Sequence, residues 1–290
     1  MASTYVITNC CVCGSAIYSV YKEVDGIPVL KCNKCKLKWI KDIDKNVIAS
    51  FYGEKYFNSS DSKIGYKNYL SDEKNHRKNS VNIFKTVSEV KDLRRGRVLD
   101  VGCAFGFLLD EARRLLLCDV DGVEISKYAS EYARSCLDLN VINRELESCE
   151  FQADSFDAVF MMGTIEHSIS PKSMLHYIHG ILKPEGILVI TTIDTKGLVP
   201  LYSIKPPEHL FYFNHHNIRL LLNGSGYKVL LRRPYFAKYQ IHDLFHRLSL
   251  YSSLSVFDFF YRITKKYSPD ISIKIPTNEM LVIAKKDTIS

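Results

Sequence analysis

Residues 95–116, RGRVLDVGCAFGFLLDEARRLL, constrain the fold of this chain more than any other stretch. The apolar run at 98–101 predicts a buried strand, and Gly102 and Gly106 predict a tight turn after it. Apolar residues then recur at helical spacing, which predicts a helix over Phe107–Leu116. Because glycines let the backbone approach a ligand closely between a strand and a helix, this unit predicts an α/β fold with a ligand at its first turn.

The next apolar segment, CDVDGVEIS, predicts a second strand that ends with Glu124. An acid at this place can accept hydrogen bonds from the two ribose hydroxyls of an adenosine cofactor. The turn itself reads Asp100-x-Gly102-x-x-x-Gly106, which differs from the Gly-x-Gly-x-x-Gly of dinucleotide sites. Because Asp100 would repel a pyrophosphate, the turn favours a cationic ligand that carries an amino-acid head group.

This pattern resembles the first motif of the class I S-adenosylmethionine-dependent methyltransferases, an acid followed by Gly-x-Gly-x-Gly, with Ala104 replacing the middle glycine. The resemblance continues in order through SFDAVFMMGTIEH, LKPEGILVITTID, GYKVLLRR and MLVIAKK. These segments look like the fourth strand, the approach to the fifth, and the hairpin of strands six and seven. The resemblance implies a doubly wound, Rossmann-like sheet of seven strands with an antiparallel strand seven.

The same resemblance implies S-adenosylmethionine as the cofactor. Glu124 would hold the ribose and Ile125 would pack against the adenine, with Glu145 beside the adenine edge and Met162 under the sulfonium. For Ile125 and Met162, a plain core position remains the alternative. The residues that the resemblance places around the cofactor are Asp100, Gly102, Ala104, Gly106, Glu124, Ile125, Glu145, Leu146, Met162 and Gly163.

Two Glu-His pairs follow the predicted fourth and fifth strands, where an acceptor would lie in an open α/β sheet. Glu166 and His167 occupy a position that often lines the pocket in this superfamily. Glu208 and His209 begin EHLFYF, which looks like the stretch that carries acid/base residues in sugar C-methyltransferases. A hydroxyl or carbon acceptor needs a general base, so the catalytic candidates are His209, Glu208 and His167. The alternative for His209 is a hydrogen bond to backbone beneath a lid.

The histidines that follow EHLFYF raise the question of a metal site. His215 and His216 are adjacent, and neighbours on a helix point about 100° apart, so the two cannot easily share one ion with His209. Asn214 is instead a good helix cap before HHNIRLLLN. We therefore expect a helix start here and no metal.

The N-terminal cysteines form two Cys-x-x-Cys pairs, Cys10 with Cys13 and Cys32 with Cys35. Two such pairs at this separation are typical of a structural zinc ribbon, with Cys11 as the alternative to Cys10. Two unrelated redox or buried pairs are the competing interpretation. Residues 1–45 hold seven lysines and four acids, net +3, and zinc with four thiolates adds −2. The remaining +1 argues against nucleic acid as the partner of the ribbon.

We predict three parts: a zinc-ribbon-like segment over 1–45, a helical linker that covers the cofactor over 46–95, and the methyltransferase domain over 96–290. A helical insertion is expected at 237–278, between strands six and seven. Its three candidate uses are an acceptor lid, a dimer surface or contact with a membrane-bound acceptor, so the oligomeric state stays open.

The composition says less about the cellular location and the partners of the chain than the motifs say about its fold. We see neither a secretory signal nor a run of about 20 apolar residues that would span a membrane. Nine cysteines is an odd number and favours free thiols or metal ligands, hence a cytoplasmic protein. The net charge of +7 is compatible with an anionic substrate, a membrane surface or nucleic acid.

The sequence therefore predicts an S-adenosylmethionine-dependent methyltransferase whose acceptor is a small molecule: a sugar, a sugar nucleotide or a glycan component. An RNA base methyltransferase with a zinc ribbon is the enzymatic alternative. The segment MGTIEH argues against it, because amino-methylating enzymes carry an Asn/Asp-Pro-Pro-aromatic motif there. The non-enzymatic alternative is a binding module that keeps the cofactor fold.

Overall fold

The computed structural model describes residues 4–44, 46–48, 52–58, 65–66, 68–197, 204–242, 244–245, 249, 255–268 and 271–287. In chain order the strands are β1 (Thr4–Val6), β2 (Tyr18–Val24), β3 (Ile27–Cys32), β4 (Lys38–Ile40), β5 (Asp42–Asp44), β6 (Arg97–Val101), β7 (Asp119–Val123), β8 (Asn140–Ile142), β9 (Phe156–Met162), β10 (Leu182–Ile193), β11 (Phe211–Tyr212), β12 (Tyr227–Gln240) and β13 (Ser272–Lys286). The α-helices are α1 (Glu54–Phe57), α2 (Glu73–Val87), α3 (Phe107–Leu116), α4 (Lys127–Leu137), α5 (Pro171–Ile181), α6 (His215–Asn223) and α7 (Ser255–Tyr267).

The central sheet has seven strands among the described residues, in the order β12-β13-β10-β9-β6-β7-β8. Strands β6 to β10 run parallel, and β13 lies antiparallel between β10 and β12. This order confirms the predicted doubly wound sheet with an antiparallel last strand. The central strands are buried along most of their length, which explains why they read as continuous apolar runs in the sequence.

Helix α3 begins and ends where the sequence predicts, at Phe107 and Leu116. Helix α2 packs against it and is held by Arg77, whose guanidinium lies 2.6 Å from the Asp110 carboxylate and 3.1 Å from that of Glu111. None of the helices in the described part of the chain combines the length and apolar character that crossing a bilayer requires.

A second, smaller sheet contains the N-terminal cysteine segment, in the order β11-β4-β3-β2. One edge strand of this sheet, β11, comes from EHLFYF, far along the chain. It pairs with β4, so that Phe211 lies opposite Trp39 and Tyr212 opposite Lys38. Trp39, Phe211 and Tyr212 are fully buried. The N-terminal segment is thus joined by strand pairing to the stretch that carries the predicted acid/base residues.

The insertion between the last two strands is shorter than the predicted 237–278. Strand β12 continues to Gln240 and β13 starts at Ser272, so residues 237–240 and 272–278 are strand and the connection spans 241–271. The apolar helical pattern gave no boundary here, because the ends of β12 and β13 are half-buried and lack a clear period. Since Ile193 of β10 pairs with Glu279, the outer part of this hairpin extends past the carboxyl edge of the parallel strands.

Helix α6 begins at the predicted cap. The Asn214 side chain accepts hydrogen bonds from the backbone of His216 and Asn217, at 2.9 and 3.1 Å, and the Asn217 side chain accepts from the Asn214 backbone at 2.8 Å. His215 lies 2.9 Å from Asp194, and His216 is exposed. This reciprocal capping box gives the second half of the histidine-rich stretch a structural role.

Replacing Asn214 with Ala should lower the free energy of unfolding by about 1 kcal/mol, because the backbone donors of the first turn lose their acceptor. His216→Ala is the matched control and should leave the unfolding curve unchanged. Urea denaturation of both variants checks this, and equal stability of Asn214→Ala and the parent chain would contradict the capping role.

Candidate active site

The glycine-rich turn lies between β6 and α3, at the carboxyl edge of the sheet. Gly102 and Gly106 have φ values of +74° and +80°, in the left-handed region that favours glycine. A Cβ at Gly102 would lie 2.8 Å from the Thr164 hydroxyl, which shows how closely the backbone passes the end of β9. Ala104 also has a positive φ, of 49°, so its replacement of glycine strains this turn by about 1 kcal/mol.

Thr164 was missed by the sequence interpretation, although it stands inside the MGTIEH stretch. Its hydroxyl donates to the Val101 carbonyl at 2.9 Å. This bond ties the segment after β9 to the end of β6. No sequence signal separates such a threonine from any other residue of a loop.

Glu124 is buried at the end of β7 and is engaged by the backbone. One carboxylate oxygen accepts from the Ala104 N–H at 2.8 Å, and the other accepts from the Ser126 N–H at 2.7 Å. Glu124 therefore shapes the glycine-rich turn, and each oxygen keeps a further lone pair for a ribose hydroxyl.

Asp100 is 3% exposed, and its Oδ1 has no hydrogen-bond partner among the described residues. Burial, together with the nearby charge of Glu124, raises the pKa of Asp100 to about 8. An unpartnered buried carboxyl beside a close-approach backbone turn is the arrangement that a cationic amino-acid head group would complete.

The residues predicted to lie near the adenine and the sulfonium differ from one another in exposure. Ile125 is 43% exposed, which is high for an apolar side chain and speaks against the core alternative. Leu146 is buried, and Glu145 is exposed beside it. Met162 is half-buried and packs against the core, as its core alternative predicts.

Glu166 and His167 lie on a short turn after β9. Glu166 is buried and accepts a hydrogen bond from the Thr192 hydroxyl at 2.8 Å, and burial raises its pKa to about 8. His167 Nδ1 lies 2.7 Å from the Glu208 carbonyl oxygen. Because a carbonyl oxygen only accepts, Nδ1 carries the proton and Nε2 is the basic nitrogen. Burial lowers the pKa of His167 to about 4, so the ring is neutral.

The fold brings the two Glu-His pairs together. The rings of His167 and His209 lie 4.9 Å apart at 78°. One ligand atom from each of Glu166, His167 and His209 lies within 4.8 Å of the others, a spacing that could hold a metal ion. Among the described residues, His215 and His216 belong to no such group, whereas His209 does, contrary to the expectation of no metal for the histidine-rich stretch.

Helix α1 covers this group with a tyrosine that the sequence interpretation did not single out. The Tyr56 hydroxyl donates to Glu208 Oε1 at 3.3 Å, and burial raises the pKa of Tyr56. Next to it, Phe57 packs edge-on against Phe105 of the glycine-rich turn, with ring centroids 5.0 Å apart. The sequence predicts a cover over 46–95, and the aromatic-rich stretch FYGEKYF is the signal that could have indicated Tyr56 within it.

Leu210 connects the site to the N-terminal sheet through its backbone. Its carbonyl accepts from the Ile40 N–H at 3.0 Å, and its N–H donates to the Glu166 carbonyl at 2.9 Å. The residue after His209 is thus held from both sides, by the cysteine segment and by the segment after β9.

The four cysteines form one group, with Cys10 to Cys35 at 3.4 Å and Cys13 to Cys32 at 3.5 Å between sulfurs. A tetrahedral ion bound at ~2.3 Å needs sulfurs about 3.8 Å apart, so the group fits a metal after a small expansion. Cys11 is outside the group, so the geometry favours Cys10 over Cys11. The hydrogen bond between the sulfurs of Cys10 and Cys35 lowers the pKa of Cys10 and raises that of Cys35.

Residues 73–231, more than half of the 290-residue chain, match the family model described as a methyltransferase domain. The chain belongs to the methyltransferase-domain family. The fold and family predicted from the sequence are therefore confirmed.

A curated relative of this methyltransferase domain is the ubiquinone biosynthesis O-methyltransferase of Neisseria meningitidis serogroup C (strain 053442), 33% identical over 129 residues, or 42% of this chain and 54% of the relative. The chain thus spans about half the length of that protein. An S-adenosylmethionine-dependent methyltransferase from Archaeoglobus fulgidus has a TM-score of 0.52 at 18% identity, over 75% of this chain and 99% of that one.

The [4+2]-cyclase SpnF has a TM-score of 0.50 at 18% identity, over 71% of this chain and 81% of that one. Since SpnF is a cyclase by name, fold similarity alone does not establish methyl transfer. The activity of this methyltransferase domain has to be argued from its site residues.

The affinity of the domain for S-adenosylmethionine should rise with pH between about 6 and 7.5, by up to about tenfold per unit. The pKa of Asp100 is about 8 in the free protein, and a bound cation favours its carboxylate, so binding below that pH releases a proton. Calorimetry across pH, in buffers of different ionisation enthalpy, measures both effects. Asp100→Asn should bind more weakly with a flat pH profile, and a pH-independent affinity of the parent chain would contradict the assignment.

Proposed function

We propose that this chain transfers the methyl group of S-adenosylmethionine to a small-molecule acceptor. The main support is that Glu166, His167 and His209 lie close together at the carboxyl edge of the sheet, where the glycine-rich turn also lies. A cofactor site and a group of potential bases at one edge are what base-assisted transfer requires.

The cofactor residues are those proposed from the sequence. Asp100 would bind the ammonium group of the methionine part, and Gly102, Ala104 and Gly106 would pass close to it. The free lone pairs of Glu124 would accept from the ribose hydroxyls. The adenine would cover the exposed Ile125, beside Glu145 and Leu146, and Met162 and Gly163 would lie near the sulfur.

When bound, the cofactor would supply an electrophilic methyl group. The chain's own residues would remove the proton from the acceptor. His209 acts as the general base, because imidazole is the side chain most often used for proton transfer near neutral pH. His167 holds the backbone of Glu208 through its Nδ1 proton, which orients the neighbouring His209. Tyr56 stays protonated and donates to Glu208, so that the Glu208 side chain keeps one orientation.

The acceptor we favour is a sugar, a sugar nucleotide or a glycan component. Support comes from EHLFYF, whose resemblance to sugar C-methyltransferases includes Glu208 and His209. A hydroxyl acceptor from quinone biosynthesis is the second candidate, favoured by the similarity to the ubiquinone biosynthesis O-methyltransferase of Neisseria meningitidis. RNA is the least favoured acceptor, because the small charge of the cysteine segment gives little attraction for phosphates.

We further propose that Cys10, Cys13, Cys32 and Cys35 hold one structural zinc ion. The short distances between their sulfurs support this. Zinc would stabilise a segment too small to fold on its own core. A reducing, cytoplasmic setting would keep the four thiols available.

Deuterated-methyl S-adenosylmethionine, supplied separately with sugar-nucleotide, glycan, quinone-precursor and RNA fractions, tests the function. We expect label in a sugar-containing fraction, detected by mass spectrometry. Label only in the quinone-precursor fraction would select the second candidate. Normal cofactor binding with label in no fraction would contradict methyl transfer.

His209→Ala should then lower kcat by about 10²–10⁴-fold and leave cofactor affinity within about twofold. His216→Ala, an exposed histidine of the same stretch, is the control and should retain the parent rate. A near-normal kcat for His209→Ala would remove His209 from catalysis.

A further inference from the structure

Helix α7 in the insertion carries an apolar stripe that faces outward. Five side chains of this helix are both exposed and apolar or aromatic. They are Val256, Phe259, Phe260, Ile263 and Tyr267, with exposed fractions of 45%, 59%, 42%, 38% and 70%. Ile271, just beyond the helix, is exposed as well.

The spacing places these side chains on a single face. At 100° per residue, positions 256, 259, 260, 263 and 267 fall within an arc of about 100°. Three half-buried residues, Phe257, Tyr261 and Thr264, lie on a different face. At the edge of the stripe, Phe260 stacks on Phe245 with ring centroids 5.3 Å apart and remains 42% exposed. A surface helix normally turns its apolar face to the core, so an apolar stripe on the outer side indicates a partner.

Basic residues accompany the stripe. Helix α7 contains three basic residues, Arg262, Lys265 and Lys266, and one acid, Asp258. Its net charge is therefore +2. On the adjoining hairpin, the Lys274 ammonium lies 5.8 Å from the ring centroid of Phe236, which is itself 42% exposed. An apolar aromatic face with basic neighbours is the composition of helices that lie in the interface of an anionic membrane.

The stripe is held at the edge of the sheet where the candidate site lies. The outer part of the hairpin extends past the carboxyl ends of the parallel strands, and the insertion follows it. Two contacts brace this hairpin on α2: the Asn79 side chain bonds the Lys238 backbone at 2.7 and 3.2 Å, and the Lys78 ammonium bonds the Ser272 hydroxyl at 3.3 Å. These contacts fix the base of the insertion at that edge of the sheet.

We propose that the outer face of α7 docks the chain on an anionic lipid surface, with the carboxyl edge of the sheet turned toward that surface. Charge complementarity favours lipid over a second copy of this chain, because two copies meeting at the stripe would bring their basic residues together. The proposal concerns binding and holds whichever acceptor the site uses.

Sedimentation with vesicles tests this proposal. The full chain should bind vesicles of phosphatidylcholine with about one third phosphatidylglycerol at least tenfold more tightly than pure phosphatidylcholine vesicles. The double variant Phe259→Ser/Phe260→Ser should lose at least tenfold of that binding. Lys265→Gln/Lys266→Gln should lose about fivefold per changed residue on anionic vesicles only.

Ile17→Ser is the matched control, since Ile17 is 69% exposed but lies in the cysteine segment. It should bind vesicles like the parent chain, and all variants should keep the circular dichroism spectrum and cofactor affinity. Equal vesicle binding by the Phe259/Phe260 variant, or no vesicle binding by the parent chain, would overturn the proposal. A dimer that this variant dissociates, without vesicle binding by the parent, would assign the stripe to a second copy instead.

Discussion

The backbone of Leu210 is the point on which the rest of the candidate site depends. Its carbonyl is held by Ile40 of the small sheet, and its N–H is held by Glu166 of the central fold. Strand β11 continues this contact through Phe211 and Tyr212, which are buried against the cysteine segment. The cysteine segment therefore acts as a support for His209, which directly precedes Leu210, and its stability bears on the geometry of the acid/base group.

Buried ionisable groups are the second constraint on this site. Asp100 and Glu166 each have a pKa raised to about 8, chiefly by burial, and the pKa of Glu124 is raised for the same reason. Burying carboxyl groups without counter-charges costs stability, so such a cluster is expected where a cation binds. The cationic cofactor of the methyltransferase family is a natural partner for the acids near the glycine-rich turn.

Much of the fold could be predicted from the sequence, because its signals are local. The bounds of α3 and α6 and the cap at Asn214 follow from apolar spacing and capping chemistry over a few residues. The pairing of β11 with β4 could not be predicted, since a two-residue strand has no period and its partner is far away in the chain. The bond from Tyr56 to Glu208 is equally non-local. The sequence could therefore nominate the candidate site residues but not the non-local contacts that support them.

Hydrogen exchange measured by NMR, with the proposed zinc site loaded and after treatment with a chelator, tests most directly whether the cysteine segment supports the acid/base stretch. We predict that removing zinc speeds amide exchange at Ile40 and at residues 210–212 by at least about tenfold, while β6 and β9 keep their protection. Cofactor affinity should stay within about twofold. Faster exchange confined to the cysteine segment, with Leu210 unchanged, would contradict the account.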